Sequence, residues 1–453
     1  MLPNPGIRVA EKSRVLEDHH KTHHLAQNRD VDEMINPIPK FLTPSAECRA
    51  MPLLPSPPSI INFHPFMNGG VLYLNGSRRI WALNSMAAFI WCILDKVGSL
   101  EELASRLASA FHIDNIKALG DTKATITCFE REGLFTARQK IGPMEKSDRW
   151  DITPTGPGFV EPKSWAIRRF FKTANHVFEF CCMDTSLGKA ITGHIAHLGL
   201  DNEAPCDTRL AIFPGKGATK TWDIFIDGLR FREGLRKNEV FPHIATLFFV
   251  RACEALEDRL LFHAAVLEKS GTTIVFPGEA GSGKTTLAAA LMLHGCRFFS
   301  DEIAVLNVES LCVSPLPLPM SIKPGSVGPL SPYYAGLSER SVHLRSDGKK
   351  VRYLSPPPQN LTETVEVSVP VNYLVFPKYR EDAENRLNTL DKFETMQRLA
   401  TTGSSNRDIT NRDVNAMIAL VEKSPCYEIV YSDLSKAVAL LENHFFKRSQ
   451  RES

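Results

Sequence analysis

The sequence predicts a mixed α/β (α+β) protein of two compact units, and three observations carry that prediction. Its 453 residues exceed one ordinary domain. Residues 61–138 read as a hairpin followed by three helices, whereas strand and helix patterns alternate through 164–447. A stretch with several Pro and Gly, 139–163, separates them and reads as a linker.

Composition excludes several classes. Apolar residues make up 43% and charged residues 23%, ordinary for a globular core. With 53 basic and 51 acidic side chains, the net charge is +2, too little to steer the chain to nucleic acid or an anionic membrane. Neither is expected as a partner. No apolar run reaches the length of a membrane span, and residues 1–58 hold no signal segment. The 10 cysteines are scattered without a CxxC and read as reduced thiols, so a cytoplasmic location is expected.

The elements follow in order. Residues 1–60, rich in Pro and charge, read as a disordered tail. The tail holds His19, His20, His23 and His24, whose i, i+4 pairs have metal-ligand spacing, but a solvated tail offers them no supporting shell. Residues 71–74 and 79–81 form a hairpin around Asn75-Gly76. Asn84 caps a helix running to about Val97. Ser99, with Glu102 three residues on, starts a second. A third spans about 114–132 and ends at Gly133. In the second unit, strands are expected near 177–180, 209–213 and 221–226, and helices over 185–197 and 240–257. Residues 260–267 and 272–276 read as strands, 284–294 as a helix, and 298–300 as a strand ending in Asp301-Glu302. Residues 303–308 continue as strand. Strands near 369–376 and helices over 392–401, 413–422 and 434–442 follow.

The densest chemical signal is Gly278-Glu279-Ala280-Gly281-Ser282-Gly283-Lys284-Thr285, followed by Thr286. It fits G-x-x-x-x-G-K-[ST], with an apolar strand before it and an apolar helix after it. The glycines let backbone approach phosphate oxygens, and successive N–H groups form an anion nest. The helix start adds orphan donors and a positive dipole end. Lys284 brings a point charge, and the Thr285 hydroxyl suits a Mg²⁺ shell. ATP and Mg²⁺ are therefore the expected cofactors.

Three features narrow the chemistry. Asp301-Glu302, at a strand end, can hold Mg²⁺ with one carboxylate and accept a hydroxyl proton with the other. His263, in an apolar strand expected beside the loop strand, reads as a satisfied core histidine, or as a group that stabilises phosphate charge or tunes Asp301. Downstream, Lys323, Lys349, Lys350, Arg352 and Arg380 are basic candidates for contact with a transferred phosphoryl group.

Taken together, residues 262–306 resemble the catalytic core of HPr kinase/phosphorylase and its related kinases: a strand histidine, His263; the glycine loop from Gly278 to Thr285; a helix; and an acidic pair, Asp301-Glu302. Stretches 318–324, 375–377 and 425–427 are similar to the same group. The resemblance implies a P-loop kinase core of the HPr kinase/PEP carboxykinase type with a mixed sheet. It implies Asp301 as the base acting on a substrate hydroxyl, His263 near the transferred phosphate and Lys284 on the phosphates. Mg²⁺ then falls to Thr285 and Glu302. In HPr kinases the second acidic residue is usually Asp, and the downstream signature of the bifunctional enzyme is absent here. HPr itself and phosphorolysis are thus not implied.

The first unit is similar to PqqD-like peptide chaperones through Leu74-Asn75-Gly76, Ile80-Trp81-Ala82-Leu83-Asn84, Ala87-Ala88-Phe89-Ile90-Trp91, the Ser99 helix and residues 130–134. That resemblance implies a small winged-helix-like domain that binds a ribosomally made peptide as an added strand. Trp81 and Trp91 read as core anchors. The combined expectation is an ATP- and Mg²⁺-dependent kinase acting on a hydroxyl, Ser above all, of a peptide or small protein recruited by the front unit. A peptide-modifying enzyme is a further candidate partner, and a homo-oligomer is left open. The alternative is a non-catalytic, ATP-gated peptide carrier for such an enzyme; a DNA-binding regulator with an ATP switch is a third reading.

Overall fold

The computed structural model describes residues 54–74, 79–136, 152–217, 219–256, 258–362, 367–402 and 407–447. The tail histidines and the Asn75-Gly76 turn lie outside them. The described residues fall into two compact units, one on each side of residues 137–151.

The front unit begins with strands β1 (Ile61–Phe66), β2 (Gly69–Leu74) and β3 (Ile80–Leu83), an antiparallel sheet with β2 in the middle. Helices α1 (Ser85–Ile93), α2 (Leu100–Phe111) and α3 (Asn115–Arg131) follow. Each starts where a side chain satisfies orphan amides. Asn84 accepts from the Ala87 N–H at 2.9 Å, Ser99 from Glu102 at 3.1 Å and Asp114 from Ile116 at 2.8 Å. The Glu102 carboxylate in turn accepts from the Gly98 N–H at 2.9 Å, a capping box displaced by one residue. Gly133 ends α3 with a φ of 70°. Trp81 and Trp91 are both buried. Trp91 packs edge-on against Phe129 and stacks on Phe135.

The second unit opens with β4 (Ile167–Thr173), β5 (His176–Cys182), α4 (Thr185–His194), β6 (Gly199–Leu200), β7 (Thr208–Pro214), β8 (Trp222–Ile226) and β9 (Leu229–Leu235). They form a sheet of order β6-β4-β5-β7-β8-β9, in which only the β5–β7 pair is parallel, with α4 in the crossover between them. Helix α5 (Lys237–Glu254) covers this sheet, with Phe248 stacked on Phe178 at 4.0 Å. It starts three residues before the expected Val240, because the Arg236 N–H is held by the Glu239 carboxylate at 2.8 Å. Residues 152–163, expected in the linker, belong to this unit. Ile152 joins the core, Phe159 packs on Phe213 and Phe225, and Glu161 pairs with Arg209.

The apolar run 260–267 is two strands, not one. β10 (Arg259–Phe262) and β11 (Ala264–Lys269) part at His263 and join different sheets. β12 (Thr272–Pro277), α6 (Lys284–Leu293) and β13 (Arg297–Ser300) come next. The run 303–308 likewise leaves the sheet of β13: β14 (Ala304–Asn307) pairs with β10 and with β15 (Cys312–Ser314). Beyond lie β16 (Met320–Ile322), α7 (Pro324–Leu330), β17 (His343–Leu344), β18 (Lys350–Leu354), β19 (Val369–Pro370), β20 (Tyr373–Tyr379) and β21 (Arg386–Thr389). Helices α8 (Lys392–Thr402) and α9 (Asn411–Lys423), strand β22 (Cys426–Tyr431) and helix α10 (Leu434–Leu441) complete the unit.

The central sheet runs β13-β11-β12-β20-β22-β21 and is mixed, with β12, β20 and β22 parallel. Its inner strands are mostly apolar runs, as strands covered on both faces must be, whereas edge strand β21 is polar and largely exposed. Helices α6 and α10 bury Leu287, Leu291, Val438 and Leu441 against Ile274, Phe276 and Ile429. The parallel core puts the loop after β12 at the carboxyl end of the sheet, where ligands of such sheets gather. The nine described cysteines are free thiols, and no helix among the described residues is long and apolar enough to cross a membrane.

Candidate active site at the phosphate loop

The loop 278–283 takes its shape from two glycines and two tyrosines. Gly281 and Gly283 have φ of 91° and 95°, a region that other L-residues enter only with strain. Gly283 is also the N-cap of α6, and a Cβ there would lie 2.1 Å from the Tyr431 hydroxyl. That hydroxyl donates to the Gly283 carbonyl at 3.0 Å, and the Tyr379 N–H donates to the Ser282 carbonyl at 3.1 Å. The ends of β20 and β22 thus pin the loop from outside. Tyr431 stands 148 residues from Gly283, and no local pattern in the sequence announces it.

Lys284 is only 4% exposed. Its ammonium donates to the carbonyls of Gly278 at 2.5 Å and Glu279 at 3.0 Å, and to His263 Nε2 at 3.2 Å. Three protons meet three acceptors, so the charge is fully solvated by protein. Burial pulls its pKa down to about 8, against the upward pull of Asp301 and Glu302.

His263 sits at the break between β10 and β11. Its N–H donates to the Thr402 carbonyl at 2.7 Å, which turns the chain out of one sheet and into the next. Its Nδ1 lies 2.8 Å from the Glu302 carbonyl. A carbonyl only accepts, so Nδ1 carries the proton and Nε2 offers its lone pair to Lys284. Burial holds this imidazole below its usual pKa, which keeps it neutral.

Asp301 follows directly on β13 and is 6% exposed. Burial, then the Glu302 carboxylate, pushes its pKa up to about 7, while a hydrogen bond from Thr285 and the Lys284 charge oppose the rise. Its Oδ1 has no hydrogen-bond partner. Glu302 is more open, with a side chain 39% exposed and Oε1 3.9 Å from His263 Nδ1. Thr285 therefore leans on Asp301, while Glu302 faces the histidine. Thr286, expected to touch nucleotide, donates instead to the Ser326 hydroxyl at 2.7 Å and ties α6 to α7.

Of the five downstream cations, Lys323 is the one set against the carboxylates. Burial and Lys349 lower its pKa while Glu302 and Asp301 raise it. Lys349 also lies 3.3 Å from Asp347, and Arg352 donates to the Ser338 carbonyl at 3.0 Å. Lys350 and Arg380 are exposed. Arg345, absent from the sequence candidates, acts on Lys323 from β17's far end. A sequence gives no signal for it, because a short strand of two residues has no readable period.

The residues fit the expected ligands. The Thr285 hydroxyl and two carboxylates are hard oxygen donors of the kind Mg²⁺ takes, and Asp301 Oδ1 is buried without another partner. The loop amides, the start of α6 and Lys284 form a cationic nest for phosphate oxygens.

Residues 69–134, within the front unit, match the family model of Coenzyme PQQ synthesis protein D (PqqD). A solved structure similar to the chain is the HPr(Ser) kinase/phosphatase from Coxiella burnetii. It shares 13% identity at a TM-score of 0.21, over 43% of this chain and 99% of that one. A likeness that slight bears no weight on the site. No curated protein matches the chain.

Proposed function

We propose that the second unit is an ATP- and Mg²⁺-dependent kinase for a hydroxyl, a Ser side chain on a ribosomally made peptide or small protein, which the PqqD domain recruits. The observation that carries this reading is Asp301, a buried carboxyl with a pKa raised to about 7 and an unpartnered oxygen, beside Thr285 and Lys284 at the mouth of the loop. A base poised near working pH is what proton abstraction from a hydroxyl needs.

In this reading the loop amides and Lys284 bind and neutralise the phosphates. Thr285 and Glu302 would hold Mg²⁺, which would supply charge neutralisation on the phosphate oxygens. Asp301 accepts the hydroxyl proton as the acceptor oxygen bonds to the γ-phosphorus, and the bond to the β–γ bridging oxygen breaks, releasing ADP. His263 keeps Lys284 aimed by accepting from its ammonium, and its own Nδ1–H is locked on the Glu302 carbonyl. Lys323 balances the carboxylate pair. Recruitment by the PqqD domain raises the local concentration of acceptor, a gain of the tethering kind. A cytoplasmic location is part of this proposal, since a kinase of this kind needs ATP.

Mass spectrometry of a candidate peptide after incubation with the full chain and MgATP tests the proposal. A gain of one phosphate on a Ser, lost in Asp301→Asn, supports it. Tight nucleotide binding with no phosphate on any peptide that the front unit holds would favour the ATP-gated carrier instead.

A further inference from the structure

A cleft of about 530 Å³ opens in the second unit, and no residue of the phosphate loop lines it. Its floor is apolar: Leu187 and Ile191 of α4 and Phe241 of α5. Its rim is polar, with Arg236, Lys237 and Asn238 at the start of α5, and Ser341 and His343 also contributing. Helix α5 is 18 residues long, and its first turn brings orphan amides and the positive end of a dipole to that rim.

His343 adds an independent sign of a ligand. It lines the cleft and is 7% exposed; the Asn238 backbone engages one ring nitrogen, and the other has no hydrogen-bond partner. The Asn238 backbone is near enough to favour its protonated form slightly, against a larger depression by burial. A buried imidazole always has one donor and one acceptor to satisfy, and a folded chain rarely leaves either unmatched. The ring is held in place by aromatic neighbours, with Tyr353 and His194 both 5.3 Å from it and Phe241 at 5.9 Å.

Charge selects the ligand. No Asp or Glu lines the cleft. The charged groups acting on His194, on the same wall, are His343 and Arg340. Glu239, the acid in α5's first turn, folds back on Arg236 at 2.5 Å. With Arg236 paired, Lys237 and the start of α5 give the mouth its positive character, over an apolar floor.

We propose that this cleft is a second ligand site that binds a small organic anion, its carboxylate or phosphate held by the start of α5, Lys237 and His343, its apolar body on Leu187, Ile191 and Phe241. Calorimetry on the full chain tests it with phenylacetate, phenyl phosphate and neutral phenylacetamide. Saturable binding of at least one anion is expected, with the amide about tenfold or more weaker, because the charge supplies much of the recognition. Which anion binds tells carboxylate from phosphate. His343→Phe keeps an aromatic ring and removes both nitrogens. Lys237→Glu reverses a rim charge at a helix start that favours acids, so its fold is expected to persist. Either folded variant is expected to bind about tenfold or more weakly. No saturable heat with either anion up to about 10 mM, weak even for a fragment, overturns the proposal. So does anion affinity equal to the unmodified chain's in both variants, which would place the binding elsewhere.

Discussion

Replacing Asp301 by Asn is expected to stabilise the protein while abolishing phosphoryl transfer, and the size of the gain follows from the site. Burial and Glu302 raise the Asp301 pKa from 3.8 to about 7. At roughly 1.4 kcal/mol per pKa step, ionising this carboxyl inside the fold opposes stability by up to about 4 kcal/mol at pH 8. The sign is fixed by protons: the folded state holds the Asp301 proton to a higher pH than the unfolded state does. The group's contribution to stability is therefore fully present below pH 3.8 and is lost as pH rises to about 7. Asn has nearly the same shape and cannot ionise, so it is free of that opposition. Urea denaturation of both proteins at pH 8 and pH 5 is the assay. The advantage of Asp301→Asn is expected at about 2–4 kcal/mol at pH 8, smaller by about 2–3 kcal/mol at pH 5. Nucleotide affinity should stay within a few-fold. An advantage equal at both pH values, or a loss of stability at pH 8, would refute the claim that Asp301 is held in a hostile site; retained transfer would refute its role as base.

Other outcomes follow from the same geometry. Lys284→Ala removes a charge-assisted contact worth about 1.5–3 kcal/mol, so calorimetry with MgATP should show affinity down by roughly 10- to 100-fold. Gly283→Ala forces a side chain into left-handed backbone against Tyr431, and denaturation should register a loss of about 2–4 kcal/mol. Tyr431→Phe in that background should restore part of it, since the hydroxyl is the nearest clash. Trp91→Ala opens the core of the front unit at a cost of about 3–5 kcal/mol. Peptide capture should vanish in that variant while MgATP binding persists.

Much of this is legible in the chain because local chemistry dictates it. The capping residues Asn84 and Ser99 mark real helix starts, the third helix begins beside Asp114 as expected, and the glycine loop sits between the strand and helix its pattern demands. The mixed α/β class and the hairpin with three helices are readable for the same reason. What escapes reading depends on distant partners. The run 260–267 has one apolar character throughout, so periodicity cannot show that it splits at His263; the split comes from the Thr402 carbonyl, 139 positions away in the chain. The linker reads too long because Pro and Gly around 152–163 signal turns without saying what those turns pack on. Thr286 follows the motif in sequence, yet Ser326 of α7 takes its hydroxyl.

The hold of Tyr431 on Gly283 has a consequence for synthesis. Chains are made from the amino end, and the front of a protein can fold while its rear is still being added. Here the strand that braces the loop is made well after it, with Tyr431 coming 148 residues behind Gly283. A nascent chain would carry the whole glycine motif before the brace that shapes it, and a fragment ending before residue 426 is expected to hold the loop less firmly.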